Sequence, residues 1–256
     1  MAFSPTWLAL REPADADARA LSLLEPLLGA APKVIRDLGC GTGSMGRWLA
    51  GRLPGPQHWV LYDADPDLLA LAAAGLPAGV SVETRQADVT RLTATDLAGA
   101  DLVTASALLD LLTRAELDRL VEACAGAGCP ALLTISVTGR VELTPADPLD
   151  ASIEAAFNEH QRRRTGGRDL LGPDAVDAAA AAFTRLGMAV RVAPSPWRLG
   201  PARADLAAEW LRGWVGAAVE QRPELAGPAA AAYLSRRLAD GFAAVVHHSD
   251  LLANFE

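Results

Sequence analysis

The chain has 256 residues, 51% of them hydrophobic, and a formal net charge of -8. This is enough apolar material for one large α/β domain, and the negative balance excludes the broad positive field that gives nucleic-acid binders their sequence-independent affinity. No apolar run approaches the roughly 18 residues of a membrane span, the start MAFSPTWLAL lacks a basic stretch ahead of a long apolar one, and Cys40, Cys124 and Cys129 show no metal-ligand spacing, so a soluble cytoplasmic protein without a metal site is expected.

Glu12 to Ala30, with Pro13 at a first turn and leucines at 21, 24 and 28, predicts a helix ahead of the core. KVIRDLGC then reads as a strand ending in glycines, GSMGRWLAGRL as a helix and His58 to Asp65 as a second strand, which together make a βαβ unit. Asp65-Pro66 opens the next helix, Val80 to Val89 alternates as a strand, and Ala100 to Leu112 begins as a buried one. Thr113 with Glu116 three residues on predicts a capping box for a helix down to Gly126, and Pro130 to Val137 is a fifth strand.

After Val137 this rhythm breaks. Residues 138–172 hold the helical DASIEAAFNEHQRRR and a TGGR turn, a helix runs from Gly172-Pro173 to Gly187, and Met188 to Leu199 is a sixth strand. Residues 205–240 read as helical with a break at Arg222-Pro223, and Ala243 to Asp250 as a seventh strand. The expected fold is α/β, a three-layer Rossmann-like seven-stranded sheet, mostly parallel with an antiparallel edge, with helical insertions over the active site.

Gly41, Gly43 and Gly46 spell a G-x-G-x-x-G, the spacing of a dinucleotide loop. A carboxylate argues otherwise. Asp37 stands two residues before Gly39 at the strand end, where it would repel a pyrophosphate, whereas Asp37-x-Gly39-x-Gly41-x-Gly43 suits a ligand that brings an ammonium and a sulfonium over bare backbone, as S-adenosylmethionine does. Asp63, 20 residues after Gly43, is placed to accept from ribose hydroxyls, and Asp88 ends the third strand where it can accept from an adenine amino group.

DLGCGTG, YDADPDLL, QADVTRL and DLVTASALLDLL, in that order, resemble the class I S-adenosylmethionine-dependent methyltransferases across residues 34–137. The resemblance implies Gly39, Gly41 and Gly43 under the methionine part, Asp63 with Ala64 by the ribose, Asp88 and Val89 beside adenine, and Ser106 and Ala107 facing the cofactor. TWLALREP is similar to the segment that folds over the cofactor in such enzymes, with Arg11 for the methionine carboxylate and Trp7 closing the pocket. Asp110 stands where small-molecule members often carry a histidine. The implied activity is methyl transfer from S-adenosylmethionine, with S-adenosylhomocysteine as product, to a small-molecule acceptor through O or N. A cofactor-binding scaffold without catalysis is the alternative, and an NAD(P)-dependent oxidoreductase is disfavoured by Asp37. One domain would then span 1–256, with 34–137 as cofactor core and 138–172 and 201–242 as acceptor-site insertions.

Within the first insertion, Ile153, Phe157 and His160 fall on one helical face, making His160 either a general base or a hydrogen-bonded core histidine. Asn158 and Gln161 form a polar stripe beside it, and Arg162 to Arg168 crowd a flexible turn that is either a solvated helix end or a lid meeting a carboxylate or phosphate on the acceptor. Arg162 and Trp197 join Asn158 and Gln161 as acceptor-binding candidates. His247 and His248, adjacent on a strand, are expected to face opposite ways, and Trp210 and Trp214 to be packing. Glu142 and Asp110 are the reserve bases.

Overall fold

Alternating apolar strands and amphipathic helices bury both faces of a parallel sheet, and a computed structural model of residues 4–255 shows that arrangement; the first three residues of MAFSPTWLAL lie outside the described part. In chain order the elements are α1 (Pro5–Ala18), α2 (Glu25–Ala30), β1 (Val34–Leu38), α3 (Ser44–Ala50), β2 (His58–Asp63), α4 (Pro66–Gly75), β3 (Ser81–Gln86), β4 (Leu102–Ser106), α5 (Arg114–Gly126), β5 (Ala131–Thr144), α6 (Asp150–Gln161), β6 (Arg164–Thr165), β7 (Arg168–Asp169), α7 (Ala175–Arg185), β8 (Ala189–Pro194), β9 (Trp197–Leu199), α8 (Ala204–Gln221), α9 (Pro228–Asp240) and β10 (Ala243–Asn254).

The sheet order is β3-β2-β1-β4-β5-β10-β8, parallel from β3 through β5, with β10 antiparallel to both of its neighbours. The expected sixth strand is broken in two at Ser195-Pro196, where proline has no N–H for the ladder. Its pieces, β8 and β9, both pair with β10 on the same edge. Leu23, Leu27, Trp48, Leu49 and Trp59 close one face of the sheet, and Leu117, Leu120, Phe183 and Leu133 the other. Beyond the parallel part, β5 and β10 continue as a ribbon against which α6, α8 and β9 build a third core around Ile153, Trp197, Leu211, Trp214 and Tyr233.

Local signals set the helix starts. Asp65 accepts from the Asp67 and Leu68 N–H groups ahead of α4, and Thr113 and Glu116 make both bonds of the capping box on α5. The single helix expected over 12–30 is instead two helices with a short turn at Leu21–Leu23 between them, and Pro13 lies inside α1, whose first turn is at Pro5. The break at Arg19 and Ala20 has a tertiary cause: the Ala20 N–H donates to the buried Asp250 carboxylate at 2.8 Å, and the Arg19 side chain turns into the interior.

Asp250 also accepts from Ile135 N–H at 2.7 Å, holding that β-branched residue at φ 55° in the middle of β5. One fully buried carboxylate thus ties β10, the bend of β5 and the α1–α2 connection. Asp250→Ala leaves the buried Ile135 N–H and the part-buried Ala20 N–H unpaired and is expected to cost about 3 kcal/mol, read as a lower denaturant midpoint at unchanged slope. A loss under about 1 kcal/mol would contradict this role.

Candidate active site

The parallel strands end on one side of the sheet, and there a cavity of about 560 Å³ lies between β1, β2, β4 and the segment after β3, roofed by α1. Of the residues expected to hold a cofactor, Arg11, Asp37, Gly39, Gly41, Asp63, Ala64, Asp88, Val89, Ser106 and Ala107 line it together. Gly43 is placed differently. It caps α3 at φ 87°, and a Cβ there would stand 3.1 Å from the Ala72 backbone, so it allows α3 to approach α4. Gly39 and Gly41 do adopt positive φ at the cavity floor, and a Cβ on Gly41 would meet Leu8 of α1 at 3.4 Å.

Asp63 accepts from the Gly41 N–H at 2.9 Å and from the Asp65 N–H at 3.0 Å, which fixes its carboxylate against the glycine loop. Asp88 caps the turn after β3, accepting from Thr90 N–H and Oγ1; that bond holds its carboxyl below the usual range. Asp37 is buried, accepts from Thr104 Oγ1 at 2.7 Å, and its other oxygen has no partner among the described residues. Burial pushes its carboxyl up to about 7, against the Thr104 bond and the Arg19 charge, which act the other way.

The charges around this cavity decide which ligand fits. Asp15, Asp37, Asp63, Asp65 and Asp88 line it with Arg11 as the one lining cation among the described residues, and Arg11 is already bound to Asp15 through Nε and Nη2 at 3.0 and 3.2 Å. A pyrophosphate would meet the carboxylates of Asp63 and Asp65, which have no ion-pair partner among the described residues, while Asp15 is paired with Arg11 and Asp88 lies 3.4 Å from Arg91. A ligand carrying a sulfonium and an ammonium would meet opposite charge over bare glycine backbone, so the residues present fit S-adenosylmethionine.

A second cavity, about 250 Å³, adjoins the first through the shared residues Arg11, Ala107 and Leu111. Gln161 and Trp197 line it as expected, with Trp7, Phe157, Trp210 and Trp214. His160, Asn158 and Arg162 do not. Ile153, Ala156 and His160 form the buried stripe of α6 facing α8, where His160 Nε2 sits 3.3 Å from Glu220 Oε2 and Nδ1 2.9 Å from Arg163, while Phe157 and Gln161, four apart, face the cavity. The spacing finds the right helix and the wrong side of it. Asn158 donates to the Gly139 carbonyl. Arg162 is paired with Asp174 and Arg168 with Glu116, each through two nitrogens, so these arginines of the TGGR hairpin already have carboxylate partners inside the protein.

His247 and His248 both contribute to the lining of the second cavity, yet burial alternates along β10 as expected: His248 is buried against Trp197, and His247 is partly exposed with Nε2 2.9 Å from Glu142 Oε1. His248 is buried and held well below the usual imidazole range, to about 3, by burial and then by the Arg11 charge. Sequence reasoning also missed Asp15, which binds Arg11 and accepts from Trp197 Nε1 at 2.9 Å across 182 residues. No local pattern marks it.

Asp110 lines the second cavity, beside the shared Leu111. Its carboxylate has no side-chain hydrogen bond or ion pair among the described residues, and burial pushes it up to about 6. It is the one acid lining this cavity among the described residues.

Asp37 gives a testable pH dependence. Its folded pKa near 7 lies above an ordinary carboxylate near 4, so the folded state keeps a proton that the unfolded chain has lost, and stability falls as pH rises through about 4 to 7. Asp37→Asn is therefore expected to flatten the stability curve over that window and to be more stable than the parent at pH 8 by a few kcal/mol in chemical denaturation. Parallel curves for the two proteins would refute the assignment.

A family profile described as "Methyltransferase domain" matches residues 35–131. The biotin biosynthesis bifunctional protein of Bordetella avium is 44% identical over 68 residues, which span 27% of this chain and 14% of that protein. Among solved structures, a Bacillus halodurans protein provisionally described as a methyltransferase superposes with a TM-score of 0.51 at 14% identity, over 91% of this chain and 97% of its own. The apo form of a mycolic acid cyclopropane synthase does so with a TM-score of 0.52 at 15% identity, over 98% and 99%. Motifs, profile and fold agree in this region: residues 35–131 match the methyltransferase-domain profile, and both superposed structures share the fold of this chain.

Proposed function

We propose that this enzyme moves the methyl group of S-adenosylmethionine to an ionisable oxygen or nitrogen of a small acceptor seated in the second cavity, with Asp110 as the base. The observation that carries the reading is the pair of adjoining cavities: one suited to a cationic cofactor, the other lined by a carboxylate with no side-chain partner among the described residues, with Ala107 and Leu111 between them. In this reading the chain is one domain, and the insertions 138–172 and 201–242 build the acceptor side, since Gly139, Phe157 and Gln161 come from the first and Trp210 and Trp214 from the second.

When bound, S-adenosylmethionine supplies a methyl carbon made electrophilic by its sulfonium, and the S–CH3 electron pair stays with sulfur as the acceptor lone pair forms the new bond. The protein supplies alignment and a proton sink. Asp63 and Asp88 hold the two ends of the nucleoside, and Gly39 and Gly41 bring the backbone against the methionine part. Asp110 takes the O–H or N–H proton of the acceptor and releases it to water after product departure. His248, kept neutral by burial, and Arg11, clamped by Asp15, orient the wall between the cavities.

Incubation with methyl-labelled S-adenosylmethionine and a panel of hydroxyl- and amine-bearing small molecules is expected to give label transfer. Asp110→Asn should then lower kcat by about 10²- to 10⁴-fold with S-adenosylhomocysteine affinity unchanged. A base that titrates near 6 is protonated below that pH, so the parent rate should fall on the acid side of about 6, and the variant should lose that limb. His160→Asn is expected to keep kcat, because the imidazole lies outside both cavities; a His160→Asn loss with Asp110→Asn intact would reverse the assignment.

A further inference from the structure

The make-up of the second cavity says more about the acceptor than its size does. Four of the six tryptophans in the chain, Trp7, Trp197, Trp210 and Trp214, line a space of about 250 Å³, and Phe157 adds a fifth ring. At about 30 Å³ per water this is room for about eight waters, or for one or two fused rings. The rings come from α1, β9, α8 and α6, so the fold brings them together from four places. Trp210 and Trp214 are stacked, with centroids 5.4 Å apart and planes 20° apart, whereas Trp7 meets Trp197 edge to face at 6.4 Å and 64°. Rings packed only for stability would close on one another; these surround open volume.

Two ligand types suit an aromatic lining, a cation and a flat ring. The charges disfavour the cation. The Arg11 guanidinium already sits 5.0 Å from the Trp197 ring centroid, and Arg140 adds a second guanidinium to the wall. The polar groups favour a ring with a functional edge. The Asp110 carboxyl lines this cavity with no side-chain hydrogen bond or ion pair among the described residues. A saturated hydrocarbon would leave it without a side-chain or ligand partner.

Resting on the methyl-transfer reading above, we propose that the acceptor is a planar aromatic compound of one or two fused rings, held among these tryptophans with its hydroxyl or ring N–H turned to Asp110. The tryptophans supply flat contact area that distinguishes an aromatic ring from a saturated one of equal size. The Asp110 edge distinguishes ring positions, so one regioisomer is methylated.

The test is calorimetric binding to the protein saturated with S-adenosylhomocysteine, using 1-naphthol, its saturated counterpart decahydro-1-naphthol, and tetramethylammonium. The naphthol is expected to bind at least about tenfold more tightly than the saturated alcohol, and tetramethylammonium not to bind. Trp7→Leu and Phe157→Leu, at half-buried positions that keep apolar volume, should each weaken naphthol several-fold without moving the S-adenosylhomocysteine Kd. Equal affinity for the two alcohols, preference for tetramethylammonium, or unaffected naphthol binding in both variants would overturn the proposal. Naphthol binding with that selectivity to a protein that fails to bind S-adenosylhomocysteine would uphold the aromatic site and remove the methyl-transfer reading instead.

Discussion

A concentration of carboxyl groups at the carboxyl ends of β1, β2 and β3 is the constraint around which the cofactor side of the molecule is arranged. Five acids line the first cavity with one guanidinium, Arg11, that is already paired with Asp15; Arg91 stands 3.4 Å from Asp88, and the buried Arg19 guanidinium lies behind, donating to Ser44 Oγ and Ser106 Oγ at 3.1 Å each. Asp15, Asp37 and Asp250 all pull on that guanidinium, yet burial still lowers its basicity. The fold relieves this imbalance in two ways. Asp37 keeps its proton up to about neutral pH, and the cavity is left open to a positively charged ligand.

The same carboxylates do mechanical work. Asp15 joins Arg11 to Trp197 and so fixes the roof of the first cavity to the edge strand of the second. Asp250 joins the start of α2 to the bend of β5, and Asp63 joins the glycine loop to the end of β2. The two cavities therefore share supports, and Arg11, Ala107 and Leu111 line both of them.

The cofactor half of the fold was legible because its signals are local and chemically specific. Strand ends with Asp37 and Asp63, a capping box at Thr113 and Glu116, and an N-cap at Asp65 each need only a few neighbouring residues to be recognised. The acceptor half was less legible, because distant contacts decide it. The α6 helix has two apolar stripes one residue apart, and only its packing on α8 settles that His160 goes inward and Phe157 with Gln161 to the cavity. The helix expected over 12–30 breaks where Asp250, 230 residues after Ala20, takes its N–H.

The central claim is that this cavity selects a cation-bearing nucleoside over a phosphorylated one. The most direct measurement is calorimetric titration of the protein at pH 8 with S-adenosylmethionine, S-adenosylhomocysteine and NADH. The account predicts saturable binding of the first two and none of the third; NADH binding, or failure of both S-adenosyl compounds to bind a folded protein, would contradict it.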